Sequence, residues 1–191
     1  VFGRLKLYFN VTTEDVIERL VFSLNPNRRE FLNDIEGNPD LYGPIWLTIS
    51  VSFFAFMLGS ISSWLKHGSQ YTYNFQSFVT AGILLSILVF GSPFAIYFYK
   101  KAMAPNVLIM ISFLGYSTSY LIPGCLLRLI FGSFLGTIFC LAVGCAGTYS
   151  IYIKFDEYRK NNDRNIIDND VGLFLAIPYF IVYFFVTRTC F

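Results

Sequence analysis

Few side chains in this 191-residue sequence could do chemistry in water. His67 is the only histidine, and the four cysteines do not have the paired spacing of a metal site: Cys125, Cys140, Cys145 and Cys190. A histidine-dependent triad or a zinc cluster therefore lacks its residues, and no glycine-rich phosphate loop occurs. We expect no enzyme activity, no metal and no cofactor. The thiols are interpreted as buried and structural, with a disulfide or a reactive thiol as the alternative.

Acidic residues are absent from the middle of the chain. No Asp or Glu lies between Leu41 and Phe155, and none follows Asp170. Ion-coupled transporters usually keep an ionisable group within the membrane, at roughly 2.5–3.5 kcal/mol for a charge at the helix centre on insertion scales. Its absence here argues against a transporter of that kind.

The composition is that of a membrane protein. Hydrophobic residues make up 55% of the chain and charged residues only 14%, against about 25% in soluble domains. Five uncharged apolar runs are present: residues 44–65, 75–99, 104–127, 129–153 and 171–187. Four exceed the roughly 20 residues that cross a bilayer, and the last is near the lower limit. The net charge of +2 is too small to indicate a nucleic-acid partner.

Residues 1–43 differ from the membrane domain that follows at 44–191. Thr12 can cap a helix whose first turn holds two acidic residues, and residues 16–24 place apolar side chains on one face. Asn25-Pro26 should end this helix. We predict an all-α membrane protein, with five transmembrane helices and a short amphipathic cytosolic helix. That helix lies on the membrane or packs on the bundle, with or without a partner. No signal peptide is expected before Phe9.

The basic residues predict the orientation. With the N-terminus in the cytosol, eleven lie on the cytosolic side: Arg4, Lys6, Arg19, Arg28, Arg29, Lys100, Lys101, Lys154, Arg159, Lys160 and Arg164. Only Lys66, Arg128 and Arg188 lie opposite. By the positive-inside rule the C-terminus is then lumenal. Residues 154–170 are predicted to be a flexible loop, and the Asn10 glycosylation sequon is expected to stay unmodified.

Small residues recur at four-residue spacing in two spans. Gly132, Gly136, Cys140 and Gly144 form a ridge in the predicted fourth span, and Ala55, Gly59 and Ser63 form one in the first. Such ridges let helix backbones approach closely. Packing within the bundle and an oligomer interface are the two interpretations.

Two prolines are predicted to kink their spans. Pro93 and Pro123 each follow a small polar patch, and neighbouring hydroxyls can bond to the carbonyls that a proline leaves free. A ligand cavity at these kinks is the alternative.

The collar, residues 38–46 (NPDLYGPIW), joins the two parts of the chain. Gly43 and Pro44 predict a tight turn followed by a proline-initiated helix, with Trp46 at the depth of the membrane interface. Asp40 either accepts from a basic partner or hydrogen-bonds within the turn.

The collar resembles the NPDLYGPxW motif of the Yip domain family, which comprises multi-spanning Golgi and endoplasmic reticulum proteins that interact with Rab-type GTPases. The FNVT segment at 9–12, with 16–19 and SLNP at 23–26, is similar to the family's upstream elements. GYS at 115–117 with YLIP at 120–123 resembles its third-span motif. The resemblance covers nearly the whole chain and is strongest to the Golgi-resident branch. The second span departs from the pattern, since no tyrosine precedes its proline, and the loop after Lys154 is unusually rich in Asn and Asp.

The resemblance implies a Golgi trafficking adaptor that cycles with the endoplasmic reticulum. Its partners would be prenylated Rab-type small GTPases, other Yip family or multi-span proteins, and the lipid bilayer. The implied partner-binding residues are Asp40, Leu41, Tyr42, Gly43, Pro44, Gly115, Tyr116 and Pro123. The alternatives are a lipid scramblase or channel along the polar patches, and a structural subunit of a larger membrane complex.

Overall fold

The computed structural model describes residues 9, 11–26, 31–100, 105–161 and 170–191, and within them it contains helices and no strand. The α-helices are α1 (Thr13–Leu24), α2 (Phe31–Gly37), α3 (Tyr42–His67), α4 (Gln76–Ser86), α5 (Ser92–Lys100), α6 (Val107–Ser117), α7 (Leu121–Phe131), α8 (Ser133–Asn161) and α9 (Val171–Cys190). A π-helical turn at Ile87–Gly91 joins α4 to α5, and a 3₁₀ turn at Thr118–Tyr120 joins α6 to α7.

Five helical segments are long and apolar enough to cross a membrane: Tyr42–Gln70, Gln76–Lys100, Val107–Phe131, Phe134–Asn161 and Val171–Cys190. The predicted all-α class and the five spans are therefore confirmed. Several predictions fall outside the described residues: the Asn10 sequon, the basic residues Arg4, Lys6, Arg28, Arg29, Lys101 and Arg164, the start of the third span at 104, and loop residues 162–169.

Helix α6 lies at the centre of the bundle. Every residue from Ile109 to Ser117 is buried, and α6 contacts α1, α2, α3 and α5. Helices α7 and α8 pack on each other, and α9 packs on α8, α4 and α3. Polar side chains on α6 therefore lie in the core, where each needs a hydrogen-bond partner.

The amphipathic helix α1 begins and ends as its sequence predicts. Thr12 caps it: the Thr12 hydroxyl accepts from the Asp15 backbone N–H (3.2 Å), and the Thr12 N–H donates to the Asp15 carboxylate (2.9 Å). These hydrogen bonds to Thr12 lower the pKa of the Asp15 carboxyl from its ordinary value. The helix gives way to extended backbone at Asn25.

Helix α2 was not predicted. It spans only seven residues, yet it buries Phe31, Leu32 and Ile35 in the same core as the transmembrane helices. Short helices gain most of their stability from tertiary packing rather than from propensity. This explains why periodicity over so few residues did not identify α2.

Both proline regions depart from regular α-helix. The π turn precedes Pro93, where the Ser92 hydroxyl donates to the Leu88 carbonyl (2.6 Å). The 3₁₀ turn precedes Pro123, where the Thr118 hydroxyl donates to the Gly115 carbonyl (2.6 Å). Such irregular turns are tolerated in a membrane helix when nearby groups satisfy the backbone.

Two predicted boundaries are corrected. The third and fourth spans meet at Gly132, not at Arg128, because Gly132 adopts a φ of 75° that ends α7. The fourth span also does not end at 153: α8 continues to Asn161, so Lys154 lies in a helix and not in a loop. The last part of α8 is rich in polar side chains, and a hydropathy criterion therefore did not predict that the helix continues there.

The small-residue positions lie at close contacts inside the bundle, with one exception. A Cβ on Gly136 would lie 2.8 Å from the Arg128 backbone, one on Gly144 would lie 2.7 Å from the Tyr183 ring, and one on Gly59 would overlap the Cys190 carbonyl. Ala55 is also buried. Gly132 is the exception, since it lies in the turn before α8, where a Cβ would meet no atom within 4 Å. The ridge in α8 therefore begins at Gly136.

Candidate functional site

Asp40 lies at the centre of a buried polar network. Its side chain is fully buried. One carboxylate oxygen accepts from the Gly43 backbone N–H (2.8 Å). The other accepts from the Tyr116 hydroxyl (3.1 Å) and forms an ion pair with the Arg19 guanidinium. A buried carboxylate is tolerated when charge and hydrogen bonds compensate it, as these three contacts do.

The backbone of Asp40 is bound as closely as its side chain. The Ser112 hydroxyl donates to the Asp40 carbonyl (2.6 Å) and accepts from the Asp40 N–H (3.1 Å). Arg19 also donates to the carbonyl of Asn38 (2.8 Å). Asp40 therefore connects α1, the start of α3 and α6 through one residue. The sequence left a basic partner and a bond within the turn as alternatives for Asp40, and the structure contains both.

Two sequence motifs that are distant in the chain meet at this site. The collar lies against the GYS stretch of α6, and a Cβ on Gly115 would lie 2.5 Å from the Pro44 Cβ. A Cβ on Gly43 would overlap the Tyr116 hydroxyl. These two glycines let the first and third spans approach at backbone distance.

The role predicted for Gly43 needs a correction. Gly43 lies in the first turn of α3 and not in a tight turn before it, and it is not among the described glycines of positive φ. Its small size is required by space and not by backbone conformation. Pro44 also lies in the first helical turn, where a missing N–H costs no intrahelical hydrogen bond.

Lys154 binds the C-terminal end of α1. Its ammonium donates to the carbonyls of Phe22 (2.9 Å) and Ser23 (2.6 Å), and lies 5.2 Å from the centre of the Phe31 ring. Lys154 is only 1% exposed. The last carbonyls of a helix lack intrahelical donors and carry partial negative charge, so a lysine there satisfies both needs. The sequence had placed this residue in a solvated loop.

Further hydrogen bonds join the same end of α1 to the core. The Ser23 hydroxyl lies 3.0 Å from the Ser119 hydroxyl and 3.1 Å from the Tyr116 carbonyl. The Tyr120 hydroxyl donates to the Leu24 carbonyl (3.1 Å). Helix α1 is therefore held by Arg19 in its middle and by Lys154, Ser119 and Tyr120 at its end. We call the Asp40 contacts and these contacts together the docking network.

The residues predicted to bind partners divide by exposure. Asp40, Gly43, Pro44, Gly115 and Tyr116 are buried, while Leu41 and Pro123 are half-buried. Tyr42 is 41% exposed and its ring lies 6.2 Å from that of Trp46, which is 55% exposed. Most of the conspicuous motif residues thus make contacts inside the molecule.

Sequence reasoning missed Arg19 and Lys154 as parts of this network. Arg19 was counted as a cytosolic charge and as the end of the 16–19 element of the resemblance, and neither interpretation named Asp40 as its partner. A lysine at the end of an apolar run is ordinarily a headgroup anchor, so nothing local distinguished Lys154. Its burial depends on α1 and α2, which are more than 100 residues distant.

The network holds charged and polar groups in place at the junction of α1, α3 and α6. Among the described residues no group of three or more His, Cys, Asp or Glu side chains could hold a metal. Cys125, Cys140 and Cys190 are buried free thiols, and Cys145 is an exposed one.

Comparison with known proteins identifies the family. Residues 20–188 match the family model described as the Yip1 domain. The chain is 28% identical over 131 residues to "Protein YIPF1 homolog" of Dictyostelium discoideum, covering 65% of this chain and 37% of that protein. It is 30% identical over 84 residues to "Protein YIP5" of Schizosaccharomyces pombe, covering 42% and 33%. No solved structure has a significant match.

The chain thus spans about one third of the length of these two relatives. The family model, in contrast, covers almost all of this chain, from α1 to the last turns of α9. The matched region includes both sequence motifs that form the docking network. The chain belongs to the Yip1 domain family.

Proposed function

We propose that this protein is a non-enzymatic membrane-trafficking adaptor of the Golgi that binds prenylated Rab-type small GTPases and assembles with other multi-span membrane proteins. Membership of the Yip1 domain family supports the trafficking role. The resemblance of the collar and of the GYS stretch to the family's motifs supports the choice of partner and compartment.

The main observation in support of the proposal is that α1 is bound to the bundle through one face and exposed on the other. The docking network fixes its inner face, while the outer face presents Ile17 (57% exposed) and Val21 (55% exposed). These two residues are four apart and therefore adjacent on the helix surface. Glu14 and Glu18 lie on the same exposed side. An apolar pair beside acidic groups, held on a rigid support, suits a protein partner.

The motif residues contribute to this surface mainly by positioning it. Asp40, Gly43 and Tyr116 fix the angle between α1 and the bundle, because each contacts the network directly. Tyr42 and Trp46 are exposed at the start of α3 and extend the surface toward the membrane. A prenylated GTPase would contact α1 and this aromatic edge while its lipid group enters the bilayer.

The buried hydroxyls at the end of α6 and in the 3₁₀ turn after it favour an adaptor over a lipid-translocating pathway. A path for lipid headgroups needs polar groups that face an open groove. The Ser117 hydroxyl instead donates to the Phe113 carbonyl (2.8 Å) and the Thr118 hydroxyl to the Gly115 carbonyl (2.6 Å), both inside the bundle. These hydroxyl groups of the third span are therefore already hydrogen-bonded to backbone carbonyls of the same span.

The introduction of negative charge on the outer face of α1 tests the proposal. In Ile17→Glu/Val21→Glu, two exposed apolar side chains become acidic while every contact of the docking network remains. We expect co-isolation of prenylated Rab-type GTPases from native membranes to be lost, with unchanged protein level and membrane insertion. Tyr73→Glu is the control, because Tyr73 is a large side chain that is 81% exposed between the first and second spans, away from α1.

Retention of the GTPases by the double variant would contradict the α1 surface. Loss of the GTPases in both the double variant and Tyr73→Glu would indicate a general effect of added charge on the protein. If the parent protein itself retains no Rab-type GTPase from native membranes, the adaptor function is wrong.

A further inference from the structure

The outer face of α1 presents carboxylates beside its apolar side chains. Ile17 and Val21 are exposed, and the exposed Glu14 and Glu18 lie three or four residues from them, which places all four on one side of the helix. We call these four residues the acidic face. Within the described part of the chain, neither Glu14 nor Glu18 has an ion-pair or hydrogen-bond partner. Both carboxylates can therefore meet charges on another molecule.

The remainder of α1 offers no positive charge that could neutralise this face. Arg19 is the single basic residue of Thr13–Leu24, and its guanidinium points into the docking network, where it pairs with the buried Asp40. Asp15 adds a further carboxylate in the first turn of the helix. The exposed charges of α1 are thus all negative.

A membrane surface does not match the acidic face. The cytosolic leaflet carries a negative surface potential that attracts Lys and Arg and repels carboxylates. Helices that lie in such an interface accordingly carry basic residues on their polar side, which α1 lacks. A protein surface of positive charge meets no such conflict, because charges of opposite sign across an interface favour association.

We infer that the acidic face binds a protein surface in which basic side chains surround an apolar patch. The inference rests on the proposed function, because it specifies the surface through which a Rab-type GTPase contacts α1. Ile17 and Val21 pack in the apolar patch, while Glu14 and Glu18 each face a lysine or arginine at its edge. Charges at the edge of an interface act mainly on partner choice and on the rate of association. GTPases without basic residues at this edge are therefore disfavoured.

Removal of the two charges measures the inference. Glu14→Gln/Glu18→Gln keeps the size of both side chains and changes no residue of the docking network or of the Thr12 cap. Prenylated Rab-type GTPases are co-isolated from native membranes with the parent and with the variant, and are quantified by mass spectrometry. We expect retention in about 0.1 M salt to fall about fivefold, which corresponds to about 1 kcal/mol for two exposed pairs together.

Salt separates the charges from the apolar contact. The screening length falls from about 10 Å in 0.1 M salt to about 3 Å in 1 M salt. Retention by the parent should therefore fall with salt until it equals that of Glu14→Gln/Glu18→Gln. In contrast, Ile17→Ala/Val21→Ala should retain less GTPase at both concentrations, because apolar contact is not screened.

Asp156→Asn/Glu157→Gln is the matched control for charge. It removes two acidic side chains from α8 and changes the net charge by the same amount, while α1 keeps its sequence. Retention of the GTPases should equal that of the parent. An equal fall in this control would mean that the net charge of the protein, and not the acidic face, governs binding.

Three further results would overturn the inference. The first is unchanged retention in Glu14→Gln/Glu18→Gln. The second is slower hydrogen exchange of α1 in bilayers with phosphatidylserine than in phosphatidylcholine alone, which would assign the face to the membrane surface. The third is higher retention in Arg4→Gln/Lys6→Gln, which would assign the carboxylates to basic residues of the same chain.

The failure of the inference differs from that of the proposed function. Unchanged retention in Glu14→Gln/Glu18→Gln, with retention lost in Ile17→Glu/Val21→Glu, would leave α1 as the binding helix and remove only the basic edge of its partner. If the parent retains no Rab-type GTPase at either salt concentration, the proposed function is wrong and the inference fails with it.

Discussion

At the scale of single residues, Asp40 explains why the collar has its composition. A carboxylate at this position caps the first turn of α3, receives the Tyr116 hydroxyl and neutralises Arg19. Glycine is required at 43 and 115 because each lies against the other motif without room for a Cβ. The residues of the motif thus form one packed contact, in which the first span, the third span and the docked helix α1 meet.

Replacement of Asp40 by Asn tests the ion pair. Asn keeps an oxygen for the Gly43 N–H but leaves Arg19, whose side chain is 11% exposed, without its counter-charge. Removing one partner of a buried pair costs about 3 kcal/mol. We expect that loss in the unfolding free energy measured by titration with a denaturing detergent. The double variant Arg19→Met/Asp40→Asn should lose less than the sum of the single changes.

Asp156→Asn provides the control for this measurement. Asp156 pairs with Arg159 and Lys160 on α8, but its side chain is 27% exposed. Exposed pairs contribute about 0–1 kcal/mol. Equal losses of unfolding free energy in Asp40→Asn and Asp156→Asn would mean that burial does not increase the contribution of the Asp40 ion pair to stability.

The residue scale also shows where sequence information ended. The collar motif identified Asp40, Gly43 and Pro44 because their types are unusual beside a membrane span. The partners Arg19 and Lys154 are ordinary residues in their local context, and their roles depend on contacts between distant parts of the chain. Local patterns therefore located one side of the site and left the other side unassigned.

At the scale of helices, α1 is the element whose position depends most on polar contacts. Its apolar residues Val16, Leu20 and Leu24 pack on the core, but its C-terminal end is held by hydrogen bonds from Lys154, Ser119 and Tyr120. Elements with few apolar contacts open first in the native state. Helix α1 is therefore expected to be less stable than the spans beneath it.

Replacement of Lys154 by Met tests how α1 is held. The variant removes two charge-assisted hydrogen bonds to the Phe22 and Ser23 carbonyls, each of a type worth about 1.5–3 kcal/mol. A loss of about 2 kcal/mol corresponds to amide exchange about 30-fold faster in α1. Hydrogen exchange followed by mass spectrometry should locate the change in Thr13–Leu24, with the spans still protected.

Lys160→Met is the appropriate comparison. Lys160 lies six residues further along α8 and forms an ion pair with Asp156, and 41% of its side chain is exposed. We expect no change in α1. If exchange in α1 is the same in Lys154→Met and in the parent protein, its docking rests on apolar contacts alone.

Helices α7 and α8 approach each other closely at Gly136. A Leu at position 136 would place its Cβ 2.8 Å from the Arg128 Cα and carbonyl oxygen, and backbone atoms cannot move aside cheaply. Overpacking of this kind costs about 1–3 kcal/mol. We expect Gly136→Leu to lower the thermal unfolding temperature in detergent.

Gly91→Leu is the matched control for that change. Gly91 is exposed, and the nearest atom to a Cβ there is the Ile87 Cγ2 at 3.6 Å. The unfolding temperature of the Gly91→Leu variant should stay close to that of the parent protein. Equal stability of Gly136→Leu and the parent would show that α8 can shift away from α7, and that the ridge is not a fixed contact.

At the scale of the whole molecule, hydropathy was sufficient for the number of spans but not for their ends. Each of the five spans is long and apolar enough to be recognised by its length and composition, so the number of spans was predictable from the sequence. The boundaries at Gly132 and Asn161 were not, because one depends on a backbone φ of 75° and the other on polar residues that pack beneath α2. Burial of polar residues by tertiary contacts is invisible to a scale that scores residues one at a time.

We predict the orientation of the bundle from the distribution of its charges, and this prediction can be tested independently of function. Lys100 and Lys154 lie at the end of the bundle that carries α1, whereas Lys66 lies at the far end of α3. From the positive-inside rule we predict that α1 lies in the cytosol. A glycosylation acceptor introduced between residues 68 and 74 should be modified in microsomes, because it would face the lumen, and Asn10 should remain unmodified. The same acceptor placed at the exposed Pro26 is the control and should also remain bare. A glycan at Asn10 or near Pro26 would show that the orientation is the opposite of the predicted one. Helix α1 would then lie in the lumen, where no cytosolic GTPase could bind it.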